Sequence, residues 1–160
     1  MDWFQSFIAG LSTPLAQRLA VVLCSALPIV ELKGAIPMGL AFGIPLWETY
    51  LLANLGCALP VIPIMLFMQP VIRWMYTKRL FKRFAAWVDG RTQRKKGMVQ
   101  KFEYLGLFIF VAIPLPTTGV WTGSMIASVL RMPIVKAAPT VILGNLVAGL
   151  IMLLSGFFIR

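Results

Sequence analysis

Between successive charged residues the chain runs apolar over Leu19–Val30, Gly34–Trp47, Thr49–Ile72, Tyr104–Leu130 and Ala137–Ile159. About 20 apolar residues cross a hydrocarbon core, so the third and the last of these blocks predict simple spanning helices. The others are interrupted. Leu15 to Phe42 is long enough to cross once, yet Pro28, Glu31, Lys33, Gly34 and Pro37 break its middle. Proline removes a backbone donor and clashes with the preceding turn, while glycine permits a reversal. The resulting legs, Leu15–Leu27 and Ala35–Phe42, are too short to span, because a dozen residues at about 1.5 Å each reach about 18 Å into a core about 30 Å thick. A re-entrant hairpin is the expected solution.

The second half repeats the pattern. Tyr104–Ile113 is an apolar leg, PLPTTG (Pro114–Gly119) a break, and Val120–Leu130 a second leg. Each hairpin is followed by a proline-marked corner, Gly43-Ile44-Pro45 or Arg131-Met132-Pro133, and then by a long apolar helix with one asparagine near a glycine, Asn54 or Asn145. This predicts an internal repeat. A hairpin returns to its own side and a helix crosses, so each copy starts on one side and ends on the other, and the two are inverted. Paired breaks in an inverted repeat point to a transporter site near the midplane. Four kinked spanning helices are the competing arrangement.

The predicted fold is therefore an all-α integral membrane protein: an interfacial helix in 1–14, a first repeat in 15–70, a connector in 71–103 and a second repeat in 104–160. Trp3, Phe4, Phe7, Ile8 and Leu11 have the helical spacing of an interfacial segment. In the connector, Leu80, Phe81, Phe84, Trp87 and Val88 alternate helically with Lys78, Arg79, Lys82 and Arg83, which predicts an amphipathic helix lying on a membrane surface.

Composition agrees. Of 160 residues 59% are hydrophobic and none is histidine, and the mean hydropathy is +0.86, well above the apolar content of soluble domains. The net charge of +10 would suggest nucleic acid as a partner in a soluble protein, but ten of the fifteen basic residues fall between Arg73 and Lys101 beside one acid, Asp89. Short positive loops stay in the cytoplasm. The connector is thus expected to be cytoplasmic, anchored to anionic lipid, with both termini exoplasmic and no signal peptide. Cys24 and Cys57 lie in apolar surroundings without metal-ligand spacing and are expected to be packing residues. With no nucleophile–base pair, metal cluster or phosphate-cradling glycine loop, neither an enzyme nor a cofactor is expected.

Glu31 is the leading candidate for chemistry. A carboxyl group deep in low dielectric resists ionisation and can take and release a proton. Lys33 offers the competing outcome of a static ion pair. Thr117, Thr118 and Gly119 open the second leg of the other hairpin, with Trp121 following, and a helix start there can be capped by threonine or can receive an anion. The leg beginning near Lys33 and Gly34 presents the same kind of donor end. Asn54 and Asn145 must find partners inside apolar helices, by interhelical bonding or by lining a cavity. Gly56, Ala58, Gly144, Ala148 and Gly149 permit close helix contact, including that of a homodimer.

ELKGAIP from Glu31 and PLPTTGVWTGSMIA from Pro114 resemble the paired motifs of the bacterial small multidrug export proteins, a likeness that runs from about Leu15 over nearly the whole chain. That family resembles in turn the DedA, or VTT-domain, superfamily of lipid transporters and scramblases. The resemblance implies opposed re-entrant hairpins, an inner-membrane location and a membrane-embedded acid at Glu31. DedA proteins carry arginines around the second break, whereas Ile113–Val120 has none. The leading expectation is a transporter of an amphipathic substrate with an anionic head, such as a polyprenyl phosphate, coupled to protons through Glu31. A proton-coupled exporter of small cationic drugs and a non-transporting membrane scaffold are the alternatives.

Overall fold

The computed structural model describes residues 13–77, 98–114 and 118–158. The expected interfacial helix before Thr13, the charged heart of the connector and Thr117 lie outside the described residues. Among those described the chain is helical and contains no strand. The helices are α1 (Pro14–Ser25), α2 (Glu31–Ala41), α3 (Leu46–Ala58), α4 (Val61–Thr77), α5 (Met98–Ala112), α6 (Val120–Val129) and α7 (Ile134–Phe158).

Local chemistry explains the boundaries. Thr13 caps α1 by accepting the Ala16 N–H at 3.3 Å, and Pro14 occupies the first helical position, where a missing donor costs nothing. α1 stops just short of Pro28, whose ring disfavours helical backbone at Leu27. The break occupies Ala26–Val30, narrower than the sequence suggests. α2 opens at Glu31, so Lys33, Gly34 and Pro37 lie inside a helix instead of between two legs. Pro37 forfeits the one intrahelical bond that its nitrogen would donate to Lys33 O, while at the start of the helix the Gly34 N–H is received by Val30 O at 2.8 Å.

The two proline corners repeat bond for bond. After α2, Gly43 takes φ 76°, its N–H reaches Leu40 O at 3.0 Å, and the Ile44 N–H reaches Gly39 O at 3.0 Å. After α6, Arg131 takes φ 53°, its N–H reaches Ser128 O at 3.0 Å, and the Met132 N–H reaches Ala127 O at 2.9 Å. Both are left-handed helix stops with the paired bonds of a Schellman motif. Ile44 and Met132 are buried beneath them, and Pro45 and Pro133 each open the next helix by accepting from the residue four positions on, Thr49 or Ala137, at 2.9 Å.

Two stretches are long and apolar enough to cross a membrane, Leu46–Val71 with 26 residues and Ile134–Ser155 with 22, both of hydropathy 2.1. The first starts earlier than predicted and is broken at Leu59–Pro60, where α3 passes into α4. Pro60 and Pro63 lack donors, and the Leu59 N–H turns to Gly56 O at 3.3 Å, which tightens the last turn of α3.

Packing follows the order of the chain. α1 and α2 pack on each other and on α3, α5 and α6 pack on each other and on α7, and α3 crosses α7 while α4 lies against α6 and α7. Glycines set the closest approaches. A side chain at Gly56 would overlap Ser25 and the Val22 carbonyl, one at Gly144 would meet Phe108 O at 2.9 Å, and one at Gly149 would meet the Tyr50 ring at 2.8 Å. Three of the small residues singled out for close helix contact, Gly56, Gly144 and Gly149, thus make such contacts within the chain.

The surface is inverted relative to a soluble protein. Leu15, Leu19 and Leu23 of α1, Trp47, Leu51 and Leu55 of α3, and Leu143, Leu150 and Leu154 of α7 are exposed, whereas Ser25, Thr49, Asn54, Ser128 and Asn145 are buried. Apolar residues outside and small or polar ones between helices are the arrangement that hydrocarbon solvent favours. Arg18 and Glu48 form a partly exposed ion pair between α1 and α3.

Candidate functional site

The two breaks meet, and bonds pass between them in both directions. Glu31 is 8% exposed and has φ 43°, in the left-handed region where a side chain costs on the order of 1 kcal/mol or more. Its carboxylate lies at the start of α6, where Oε1 accepts the Trp121 N–H at 3.4 Å. α6 has glycine at its N-cap position and no capping side chain of its own. Glu31, 90 residues away in sequence, takes that role, adding a negative charge at the positive end of the helix.

Gly119 is required there for space. Its backbone is extended, a conformation open to any residue, but a Cβ on it would overlap the Glu31 carboxylate. Lys33 approaches from the same first turn of α2, its Nζ 3.8 Å from Glu31 Oε2, and donates to Thr118 O at 2.5 Å. The Thr118 hydroxyl donates to Ile113 O at 2.5 Å, closing the second break on itself. In the other direction the Trp121 indole N–H donates to Ala26 O at 3.1 Å, at the end of α1. Buried backbone groups demand partners, and here the partners come from the opposite half of the chain.

Of the residues singled out from the sequence, Glu31, Lys33, Thr118, Gly119 and Trp121 converge. Asn145 joins them in the wall of a cavity of about 10 Å³, together with Glu31, Lys33, Pro114, Thr118 and Gly119. That volume holds about one water molecule, so in this conformation the site is closed to anything larger. Gly34 stands apart, where a Cβ would press on Val30 at 2.7 Å, and its role is packing of the first turn of α2.

Asn54 also stands behind the site. Asn145 Nδ2 donates to Asn54 Oδ1 at 2.9 Å, Asn54 Nδ2 donates to Tyr50 O at 2.8 Å, and the Tyr50 hydroxyl donates to Leu146 O at 3.0 Å. The two amides stitch α3 to α7, the interhelical alternative weighed from the sequence. A double-mutant cycle on Asn54→Leu and Asn145→Leu, read by thermal unfolding in micelles, should give a coupling of about 1 kcal/mol. Strictly additive losses would mean that the amide pair contributes nothing as a pair.

Two neighbours, Cys57 and Ser25, escaped sequence reasoning as parts of this junction. Cys57, fully buried, has its Sγ 3.2 Å from Ser25 O, and with Gly56 it forms the surface on which the end of α1 rests. Ser25 turns its hydroxyl back to Val22 O at 2.8 Å. Ser124 is completely buried on α6, and its hydroxyl has no hydrogen-bond partner among the described residues, a feature for which the surroundings supply no reason. For Cys57 and Ser25 the only legible signal was smallness, as in the Gly56-Cys57-Ala58 run.

Fold and site together define a helical membrane protein in which an acid–base pair is held between two helix breaks. The chain belongs to the family described as "Putative small multi-drug export protein", whose model matches residues 31–151. The matched region begins at Glu31, directly after the first break, and takes in the second break, both proline corners, the first apolar stretch of spanning length and most of the second. No curated protein and no solved structure matches the chain.

Proposed function

We propose that the chain is an inner-membrane transporter, built from two inverted repeats with opposed re-entrant hairpins, whose substrate site is the junction of Glu31, Lys33 and the start of α6. The hairpin reading rests on length. α1, α2, α5 and α6 have 12, 11, 15 and 10 residues, or about 15–22 Å of rise against a core of about 30 Å. The inverted arrangement rests on the repeated corner, and on the economy of placing each pair of short helices beside one spanning segment of its own half.

The observation that carries the functional reading is the Glu31 carboxylate at the α6 N-terminus. A site that seats one oxyanion on helix N–H groups beside a lysine can seat another when the first is neutralised. Protonating Glu31 weakens its hold on Trp121 N–H and Lys33 and releases both for the anionic head of an amphipathic substrate such as a polyprenyl phosphate. Release of the proton restores the closed junction. This is the DedA-like reading, with Lys33 and the helix start supplying the positive field that arginines supply in that superfamily.

The second reading, export of small cationic drugs in exchange for protons, is favoured by the family description and uses Glu31 as the counter-charge. Reconstituted vesicles separate the two. Under the first, Lys33→Gln abolishes movement of a labelled polyprenyl phosphate; under the second, it leaves export of a cationic dye intact or raises it. Glu31→Gln stops either process. Unchanged transport of both probes in both variants, with loss of phenotype only on neutralising the basic connector, would replace transport by a scaffold role.

A further inference from the structure

Beside the contact of α5 with α6 lies an open groove of about 300 Å³, lined by Phe102, Gly106, Leu107 and Phe110 of α5 and by Ile126 and Leu130 at the end of α6. At about 30 Å³ per water-sized group, that is room for about ten methylenes in a row. At Gly106 the space is open, since a Cβ there would meet nothing within 4 Å.

The groove lining includes one acid, Glu103, and, at the C-terminal end of α6, Leu130. Arg131 follows Leu130 directly, and both Arg131 and Lys136, in the first turn of α7, are exposed. These two cations outnumber the one acid of the lining.

Comparison of the two proline corners sharpens the point. Where the first corner has Gly43 in the left-handed conformation, the second has Arg131 at φ 53°. An arginine accepts backbone strain there that glycine avoids, and strain of this kind is retained where the side chain has a task. Three residues beyond the corner prolines stand Glu48, paired with Arg18, and Lys136, which has no ion pair among the described residues.

We propose that this groove seats one acyl chain of an anionic phospholipid whose headgroup phosphate is held by Arg131 and Lys136. The occupant is a lipid because the groove opens on the hydrocarbon-facing surface of a membrane protein. It is anionic because the two cations stand at the end where a chain lying in the groove would meet the headgroup layer. The site is distinct from the Glu31 junction and does not depend on the transport reading.

Native mass spectrometry of the full-length protein, extracted in mild detergent with equal phosphatidylglycerol and phosphatidylcholine, tests the proposal. The wild type is expected to retain phosphatidylglycerol preferentially. The double variant Arg131→Gly, Lys136→Gln should lose that preference by about tenfold or more, since each basic residue near an anionic headgroup contributes about fivefold. Gly106→Leu should reduce retention of both lipids by filling the groove. Because Arg131→Gly relieves a left-handed side chain, its thermal midpoint should match or exceed that of the wild type, which separates lipid loss from unfolding. Equal retention of the two lipids by wild type, or undiminished preference in the double variant with loss only when Lys95 and Lys96 are neutralised, would overturn it.

Discussion

Glu31→Ala is expected to abolish transport and to cost about 3 kcal/mol of stability, the largest loss from any polar substitution in the chain. Two effects add. α6 loses the carboxylate that receives Trp121 N–H, and loss of a helix cap costs about 1 kcal/mol. Lys33 loses its counter-ion, and breaking a buried pair costs about 3–5 kcal/mol, reduced here because the Lys33 side chain keeps 28% exposure. Glu31→Gln separates stability from function. Its amide oxygen can still accept from α6, so the loss of stability should stay near 1 kcal/mol, while transport stops because no proton can be exchanged. Thermal unfolding in micelles beside a vesicle transport assay reads both. Equal destabilisation by alanine and glutamine would refute the capping role, and active transport by the glutamine variant would refute proton coupling.

Gly56→Val should be the most damaging change on an apolar face, costing about 3 kcal/mol and sharply lowering the yield of folded protein. The new side chain would overlap the Ser25 hydroxyl and the carbonyl of Val22. A backbone atom cannot step aside, so the end of α1 must lift from α3, which also separates Cys57 from Ser25. Overpacking that forces backbone shifts costs about 1–3 kcal/mol, and this site is at the upper end because two helices move together. Gly106→Ala is the control. Its Cβ meets open space, and the gain in helix propensity is about 1 kcal/mol, so it should be neutral or stabilising. Similar losses at Gly56 and Gly106 would show that helix propensity, and not the α1–α3 contact, governs both.

The site was legible to an uneven degree, for reasons that differ residue by residue. Glu31 and Lys33 stood out because charge in an apolar run is costly and must have a purpose. Gly119 and Thr118 stood out because a proline–glycine break must end in an exposed helix start. Gly34 stands out by the same logic, yet its closest neighbour is the Val30 side chain, and nothing in a linear pattern tells a glycine that admits a ligand from one that admits a valine. Asn54 and Asn145 were seen as a matched pair, but their direct bond depends on where α3 crosses α7. Cys57 and Ser25 carry no charge and sit in runs of small residues, so their junction left no mark to read.

By itself the sequence determined the membrane class, the helical content, the two proline corners and the acid worth watching. Each of these follows from hydropathy, from proline's missing donor or from the cost of a charge in oil, and all are properties of one short segment at a time. The tertiary structure alone decided that the first break ends at Val30, that Glu31 caps a helix 90 residues away, and that the junction closes around room for about one water. Such pairings arise because backbone groups left open in one half find their partners in the other, and that complementarity exists only once the halves are in contact.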